Sequence, residues 1–325
     1  MKRMQLIANL TAAIALLAST SVLNAKPILY ATAGAGGKLV SIDVGTGTVS
    51  EIGDLGQPYA LAIATSPYGG LFTVTHSFPG VPGTPQLASV NPATGAATPF
   101  GPNLGAEVFM GLGFAPDGTL YGINAMSGTS NTGSLYQFNP TTGEATKVGV
   151  SGGCGVIMDI AFAPDGTMYG VDPTSLYRIN RQTGQATLAT TLQGLTQVMG
   201  LAIDGDGNFY VSEIVTNAPL WRVDPDTGAT TAVAGVRLNL PHGLEFTPAP
   251  PLVTIRASQV EVCWSSQADL TYQVQYRTDL TTNVWTSLVG CVRGTGSKSC
   301  IVDPIAVGQP QRFYRVVVTN CVPSP

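Results

Sequence analysis

Met158-Asp159-Ile160-Ala161-Phe162, then Ala163-Pro164-Asp165-Gly166, Thr167-Met168-Tyr169-Gly170-Val171, Ser175-Leu176-Tyr177-Arg178-Ile179-Asn180 and Ala186-Thr187-Leu188-Ala189 make one phrase of four short apolar runs. An Asp-Gly turn divides the first two runs, and the turn Asn180-Arg181-Gln182-Thr183-Gly184 precedes the last. Short alternating or continuous apolar runs between such turns predict antiparallel strands joined as hairpins. The closing turn recurs as Asp43-Val44-Gly45-Thr46-Gly47, Asn91-Pro92-Ala93-Thr94-Gly95, Asn139-Pro140-Thr141-Thr142-Gly143 and Asp224-Pro225-Asp226-Thr227-Gly228. From one final glycine to the next the steps are 48, 48, 41 and 44 residues.

A repeat of that length holding four strands has the period of a propeller blade. The ends of the array agree with a closed ring. The first copy begins at Ile28-Leu29-Tyr30-Ala31, which corresponds to the second strand of the phrase. After the fifth copy comes an orphan first strand, Pro241-His242-Gly243-Leu244-Glu245-Phe246. One end lacks what the other has to spare, so the sequence predicts a five-bladed β-propeller over 26–247, closed by strand exchange.

Residues 1–25 read as a signal peptide. Lys2 and Arg3 precede an apolar run from 6 to 17, and small residues lead to Ala25. No later stretch has the length and apolarity of a membrane span. The expected product is secreted or periplasmic and monomeric. Lys and Arg number 15 against 19 Asp and Glu, and without Lys2 and Arg3 the balance is 13 against 19, a net charge near −6. With 10% charged residues and no basic cluster, nucleic acid is an unsuitable partner, because phosphates reward clustered cations.

The repeat stops at Thr247-Pro248-Ala249-Pro250-Pro251, and 248–251 reads as a proline-stiffened linker. Beyond it, Val260, Val262 and Trp264, then Tyr272, Val274 and Tyr276, alternate with period two, and 312–319 reads as a late strand. The fold class expected is therefore all-β, a propeller followed by a small antiparallel β-sandwich over 252–325. Tyr272-Gln273-Val274-Gln275-Tyr276-Arg277-Thr278-Asp279-Leu280, Trp285 and Arg312-Phe313-Tyr314-Arg315-Val316 carry its resemblance to fibronectin type III-like modules.

Four of the five cysteines, Cys263, Cys291, Cys300 and Cys321, fall in this last segment, where a small core benefits from disulfides. Cys291 and Cys300 flank Gly294-Thr295-Gly296, so a hairpin would pair them and leave Cys263 for Cys321, although four cysteines permit three connectivities. Metal binding is the rival reading, without CxxC spacing or neighbouring histidine to favour it. Cys154 is left over, and with only His76 and His242 as bases it reads as a small packed hydrophobe.

Gly200-Leu201-Ala202-Ile203-Asp204-Gly205-Asp206-Gly207-Asn208-Phe209-Tyr210-Val211-Ser212-Glu213, followed by Leu220-Trp221-Arg222-Val223-Asp224 and Thr231-Ala232-Val233-Ala234-Gly235, resembles the NHL-type propeller repeat. That resemblance implies a propeller whose relatives include binding modules as well as gluconolactonase-like and virginiamycin B lyase-like enzymes. In the lactonase-like families the residue opening each innermost strand supplies Asn, Asp or Glu ligands to a divalent metal. In this chain the corresponding residues are Tyr59, Met110, Met158, Met199 and His242, followed by the small residues Ala60, Gly111, Gly200 and Gly243 and, in one copy, by Asp159. Three thioethers, a phenol and an imidazole cannot build the oxygen cage of Ca²⁺ or Mg²⁺. A copper(I) site of Met110, Met158, Met199 and His242 is allowed by ligand softness, and packing of a channel wall is the simpler account.

The connection after the second strand is short at 33–37 and 172–174 and long at 76–86, which includes Phe78, and at 124–133. Insertions on one face of a repeat array are where recognition commonly resides. The sequence therefore predicts a secreted, non-catalytic binding or scaffold protein without cofactor or metal. Its ligand, an extracellular protein, polysaccharide or small molecule, would meet the loop-bearing face near Tyr59, Phe78, Met110, Met158, Asp159, Met199 and His242. The alternative is a hydrolase or lyase centred on His242 and Asp159.

Overall fold

A computed structural model of the chain describes residues 27–34, 36–57, 59–76, 83–105, 107–126, 133–152, 154–248, 254–256, 260–278, 281, 284–304 and 312–322. The signal peptide reading, the 248–251 linker beyond Pro248, and Phe78 lie outside the described residues. Two compact units divide the chain, one from Pro27 to Pro248 and one that includes Ala249 to Pro325. No helix occurs among the described residues, and none is long and apolar enough to cross a membrane.

The first unit is made of four-stranded antiparallel sheets in the order read from the repeat. Strands β1 (Leu29–Ala33), β2 (Lys38–Asp43) and β3 (Thr48–Asp54) come first. Then come β4 (Ala64–Thr65), β5 (Leu71–Val74), β6 (Leu87–Val90) and β7 (Ala97–Phe100) in one sheet. The next holds β8 (Val108–Phe114), β9 (Leu120–Met126), β10 (Ser134–Phe138) and β11 (Ala145–Val150). It is followed by β12 (Asp159–Phe162), β13 (Met168–Val171), β14 (Ser175–Ile179) and β15 (Ala186–Thr191). The last complete copy is β16 (Val198–Ile203), β17 (Phe209–Glu213), β18 (Leu220–Val223) and β19 (Thr230–Ala232).

Strand β20 (Leu244–Phe246) completes the first sheet, in the order β20-β1-β2-β3. It pairs antiparallel with β1 through Leu29↔Phe246, Tyr30↔Glu245 and Ala31↔Leu244. Beyond the strand the Thr32 amide donates to Gly243 O at 3.0 Å and the His242 amide to Thr32 O at 2.9 Å. Innermost strands touch in a cycle, β20 to β4, β4 to β8, β8 to β12, β12 to β16 and β16 back to β20. This is the arrangement of a β-propeller, in which each sheet buries its faces only against its two neighbours.

Local chemistry explains the turns. The first residue of each outer turn is a short polar side chain that caps its own backbone: Asn180 Oδ1 accepts from the Gln182 and Thr183 amides at 2.9 and 3.1 Å. Gly184 then takes a φ of 76°, a left-handed value that glycine adopts without steric cost. Gly149, at the outer edge of the preceding sheet, lies against the Thr183 carbonyl with no room for a Cβ. The Thr-Gly turn is thus also a seam between sheets. Between sheets the core is apolar. Leu176, Val198, Leu201 and Val211, for example, are fully buried in one cluster shared by two successive copies.

In the C-terminal unit, β21 (Thr254–Arg256), β22 (Val260–Ser265) and β26 (Lys298–Asp303) form one sheet. Strand β23 (Thr271–Arg277) pairs with β24 (Thr286–Ser287), β25 (Val292–Arg293) and β27 (Phe313–Thr319) in another. Val262 and Trp264 from the first sheet share a core with Tyr272, Val274 and Val316 from the second. The disulfides are Cys263–Cys300 and Cys291–Cys321, which corrects the hairpin pairing expected above. Strands β25 and β26, on either side of the glycines, belong to different sheets, so no hairpin brings Cys291 to Cys300. Cys300 instead lies directly opposite Cys263 in the β22–β26 register.

Candidate functional site: the axis of the ring

Register fixes which side chains meet at the axis. Ala64, Gly113, Ala161, Ala202 and Glu245 lie opposite the aromatic residues Phe72, Tyr121, Tyr169, Tyr210 and Tyr30 of their second strands. Counting back three residues gives Leu61, Met110, Met158, Met199 and His242. The second copy is therefore displaced by two from the position expected from the sequence: Leu61 stands in the place expected for Tyr59, and Ala62 in that expected for Ala60. The first turn of the second copy is Ser66-Pro67-Tyr68-Gly69, without the Asp-Gly that marks this turn in the third, fourth and fifth copies.

Leu61, Met110 and Val108 are buried together, with Tyr59, Val156, Met158 and Met199 packed against them. Tyr59 thus joins the same apolar wall from a different position, in a strained backbone with φ of 53°. Its carbonyl is held by His76, whose Nδ1–H donates to Tyr59 O at 2.7 Å. The Phe109 amide donates to His76 Nε2 at 2.9 Å. Accepting at Nε2 requires the neutral imidazole, and burial lowers the His76 pKa to about 4, against the two backbone bonds that raise it. His76 ties the end of the second sheet's second strand to β8. In the sequence it was only one of two histidines, with no motif to mark the task.

His242 is 6% exposed, and its Nδ1 is buried without a hydrogen-bond partner. Burial lowers its pKa to about 4 as well. Asp159 is fully buried. Its Oδ1 accepts from the Ile160 amide at 2.9 Å, and its Oδ2 from the Leu201 amide at 2.9 Å and the Leu244 amide at 3.3 Å. Ile160, Leu201 and Leu244 occupy equivalent places on β12, β16 and β20, where alternate amides turn away from the second strand and toward the axis. One carboxyl thereby joins three innermost strands. Its pKa stands well above the ordinary carboxylate value because burial outweighs the three amides.

Glu245 is the residue that inspection of the sequence missed. It occupies the place held by Ala64, Gly113, Ala161 and Ala202 in the other copies. Part of its surface is exposed, yet burial, followed by the charge of Asp159, pushes its carboxyl well above its usual range. Strict comparison of the copies position by position would have found it as the one acid at a small-residue position.

Cys154 is half-buried and unpaired, packed against the cluster of Ile157, Ile160 and Tyr177. Among the described residues one group of three has metal-ligand atoms within 4.8 Å of one another, Glu261 with Cys263 and Cys300. Those two cysteines are joined as a disulfide, which removes the thiolates a metal would take. The axial donors, two carboxyls and His242 among thioethers, do not make the oxygen-rich set that Ca²⁺ or Mg²⁺ takes.

No protein-family model matches the chain, and no curated protein matches it. Similar solved structures include a protein of unknown function from Bacteroides thetaiotaomicron, with 16% identity and a TM-score of 0.48, covering 71% of this chain and 68% of that one. A chain of a nidogen/laminin complex has 11% identity and a TM-score of 0.45, covering 69% and 98%. A symmetrical protein described in connection with de novo evolutionary emergence has 19% identity and a TM-score of 0.42, covering 69% and 99%.

Proposed function

We propose that the chain is a secreted, non-catalytic binding or scaffold protein: a five-bladed NHL-like propeller that recognises a ligand on its loop-bearing face, followed by a fibronectin type III-like sandwich. The observation that carries this reading is the commitment of Asp159. An acid that catalyses must reach its substrate, and both oxygens of Asp159 already accept backbone amides from three strands. Around it the wall is leucine, methionine and valine. Two disulfides fit an oxidising compartment outside the cytoplasm.

The hydrolase or lyase reading draws its support from His242, whose Nδ1 has no partner. A base with a pKa of about 4 is a weak acceptor at neutral pH. To separate the readings, arrays of extracellular glycans and peptides are probed with the full chain, and any ligand is then incubated with excess and recovered. A saturable ligand returned unchanged supports the binding protein. Steady product formation beyond one equivalent, abolished by His242→Ala, overturns it.

A further inference from the structure

A second site lies away from the axis. Between the β7–β8 connection and the outer part of the sheet β8 to β11 is a cavity of about 240 Å³, lined by Leu104, Glu107, Phe109, Tyr136, Glu144 and Ala145 among others. The Tyr136 hydroxyl is hydrogen-bonded to the Glu107 carboxyl. The other carboxyl oxygen, Oε2, is buried without a partner. A buried acceptor left unpaired is costly, more so when charged, and such groups are otherwise rare in folded proteins. Phe109 and Tyr136 meet edge to face, with ring centroids 5.1 Å apart.

We propose that this cavity binds an alkylammonium group, the chemistry of a lysine side chain or a free primary amine. Two carboxylates give the wall negative charge, while Leu104 and Ala145, both partly exposed, give the apolar surface that an alkyl stem covers. A divalent cation would want six or more oxygens, which this wall lacks. A guanidinium would want both oxygens of one carboxylate, whereas Tyr136 already engages the Glu107 carboxyl and the Thr142 hydroxyl donates to Glu144 Oε2 at 3.2 Å. A single unpaired oxygen suits the point charge of an ammonium. This site goes beyond the recognition face proposed above and does not depend on it.

The test is calorimetric and NMR titration of the full chain with n-butylammonium chloride and with Nα-acetyl-lysine amide, at matched ionic strength, with n-butanol as the neutral isostere. Saturable binding of a cation, absent for butanol, is expected, and Glu107→Gln should weaken it by about tenfold or more, the effect of losing one charged hydrogen bond. Tighter binding of the lysine amide would identify a protein side chain as the source, and tighter binding of butylammonium a free amine. Ala145→Phe, which fills the cavity and keeps both carboxyls, should abolish binding and serves as the test should Glu107→Gln melt early. No saturation by either cation, or equal affinity in folded Glu107→Gln or Ala145→Phe, overturns the proposal.

Discussion

The unit from Pro27 to Pro248 and the C-terminal unit are both built from short antiparallel strands, yet they are held together differently. In the first, every sheet has two neighbours, and the last strand returns to pair with the first through Leu244 to Phe246. Its one cysteine within the described residues, Cys154, is free. In the second, two small sheets share a core around Trp264 and Tyr272, and each sheet carries one disulfide: Cys263–Cys300 joins β22 to β26, and Cys291–Cys321 joins the approach to β25 with the end of β27. Cyclic contact gives the large unit what covalent closure gives the small one. A small domain buries a smaller fraction of its surface, so constraint of its unfolded chain counts for more.

The largest expected effect breaks the ring. Deleting everything after residue 234 removes β20, so β1 loses its inner partner and Leu29 and Ala31 lose the cover of Leu244 and Phe246. The truncated chain should show no cooperative melt, whereas a chain ending at Pro248 should keep one. A sharp calorimetric transition in the shorter fragment would mean that closure is not what stabilises the unit.

Reduction of the disulfides should act on the other side of the comparison. The bridges span sequence separations of 37 and 30 residues, and the chain-entropy model gives loops of that length roughly 4 kcal/mol each, less than additively because they overlap. Thermal unfolding with and without reductant should show the C-terminal transition falling and that of the ring unchanged. A shift in the ring's transition would refute the independence of the two stabilising devices. Non-reducing peptide maps should return Cys263 with Cys300 and Cys291 with Cys321.

A smaller effect is expected at the seam between the second and third sheets. His76→Leu removes the donor to Tyr59 O and leaves the Phe109 amide without its acceptor, a cost of about 1 to 3 kcal/mol. Urea denaturation measures it, and an unchanged midpoint would show that the imidazole is dispensable.

The smallest is a matter of pH. His76 and His242 have folded pKa values of about 4, below the ordinary value near 6.5. They contribute stability that is fully present above about pH 6.5 and lost as pH falls toward 4. Asp159 and Glu245, with raised values, act in the opposite sense. The folded chain retains their protons where the unfolded chain has lost them, so stability declines as pH rises above the usual carboxylate range. Between about pH 4 and 6.5 the histidines and the carboxyls therefore oppose each other, and above that range only the decline due to the carboxyls remains. Asp159→Asn should flatten the alkaline side by up to about 1.4 kcal/mol per pH unit, read from melting curves between pH 5 and 8. An unaltered slope would show that Asp159 is ionised throughout.

Much of this could be read along the chain. The alternation in Met168–Val171, the Asn-to-Gly turns and the orphan strand at 241–246 are local patterns, and each specifies a strand or a turn from nearest neighbours alone. Even the pairing of β20 with β1 followed from counting, because a repeat with a missing strand at one end and a surplus strand at the other has one way to be complete. Pairings between non-local elements were not available in that way. Cys263 faces Cys300 because β22 and β26 share a sheet, whereas the intervening glycines suggested a hairpin. Leu61 replaces Tyr59 at the axis because register, fixed by Phe72 and Leu71, is a property of the pair of strands. Asp159 was visible as an acid among small residues, but its three amides lie 1, 42 and 85 positions away. Sequence specified the strands through their local chemistry. The tertiary structure alone decided what meets at the axis, because those contacts exist only once the sheets have closed into a cycle.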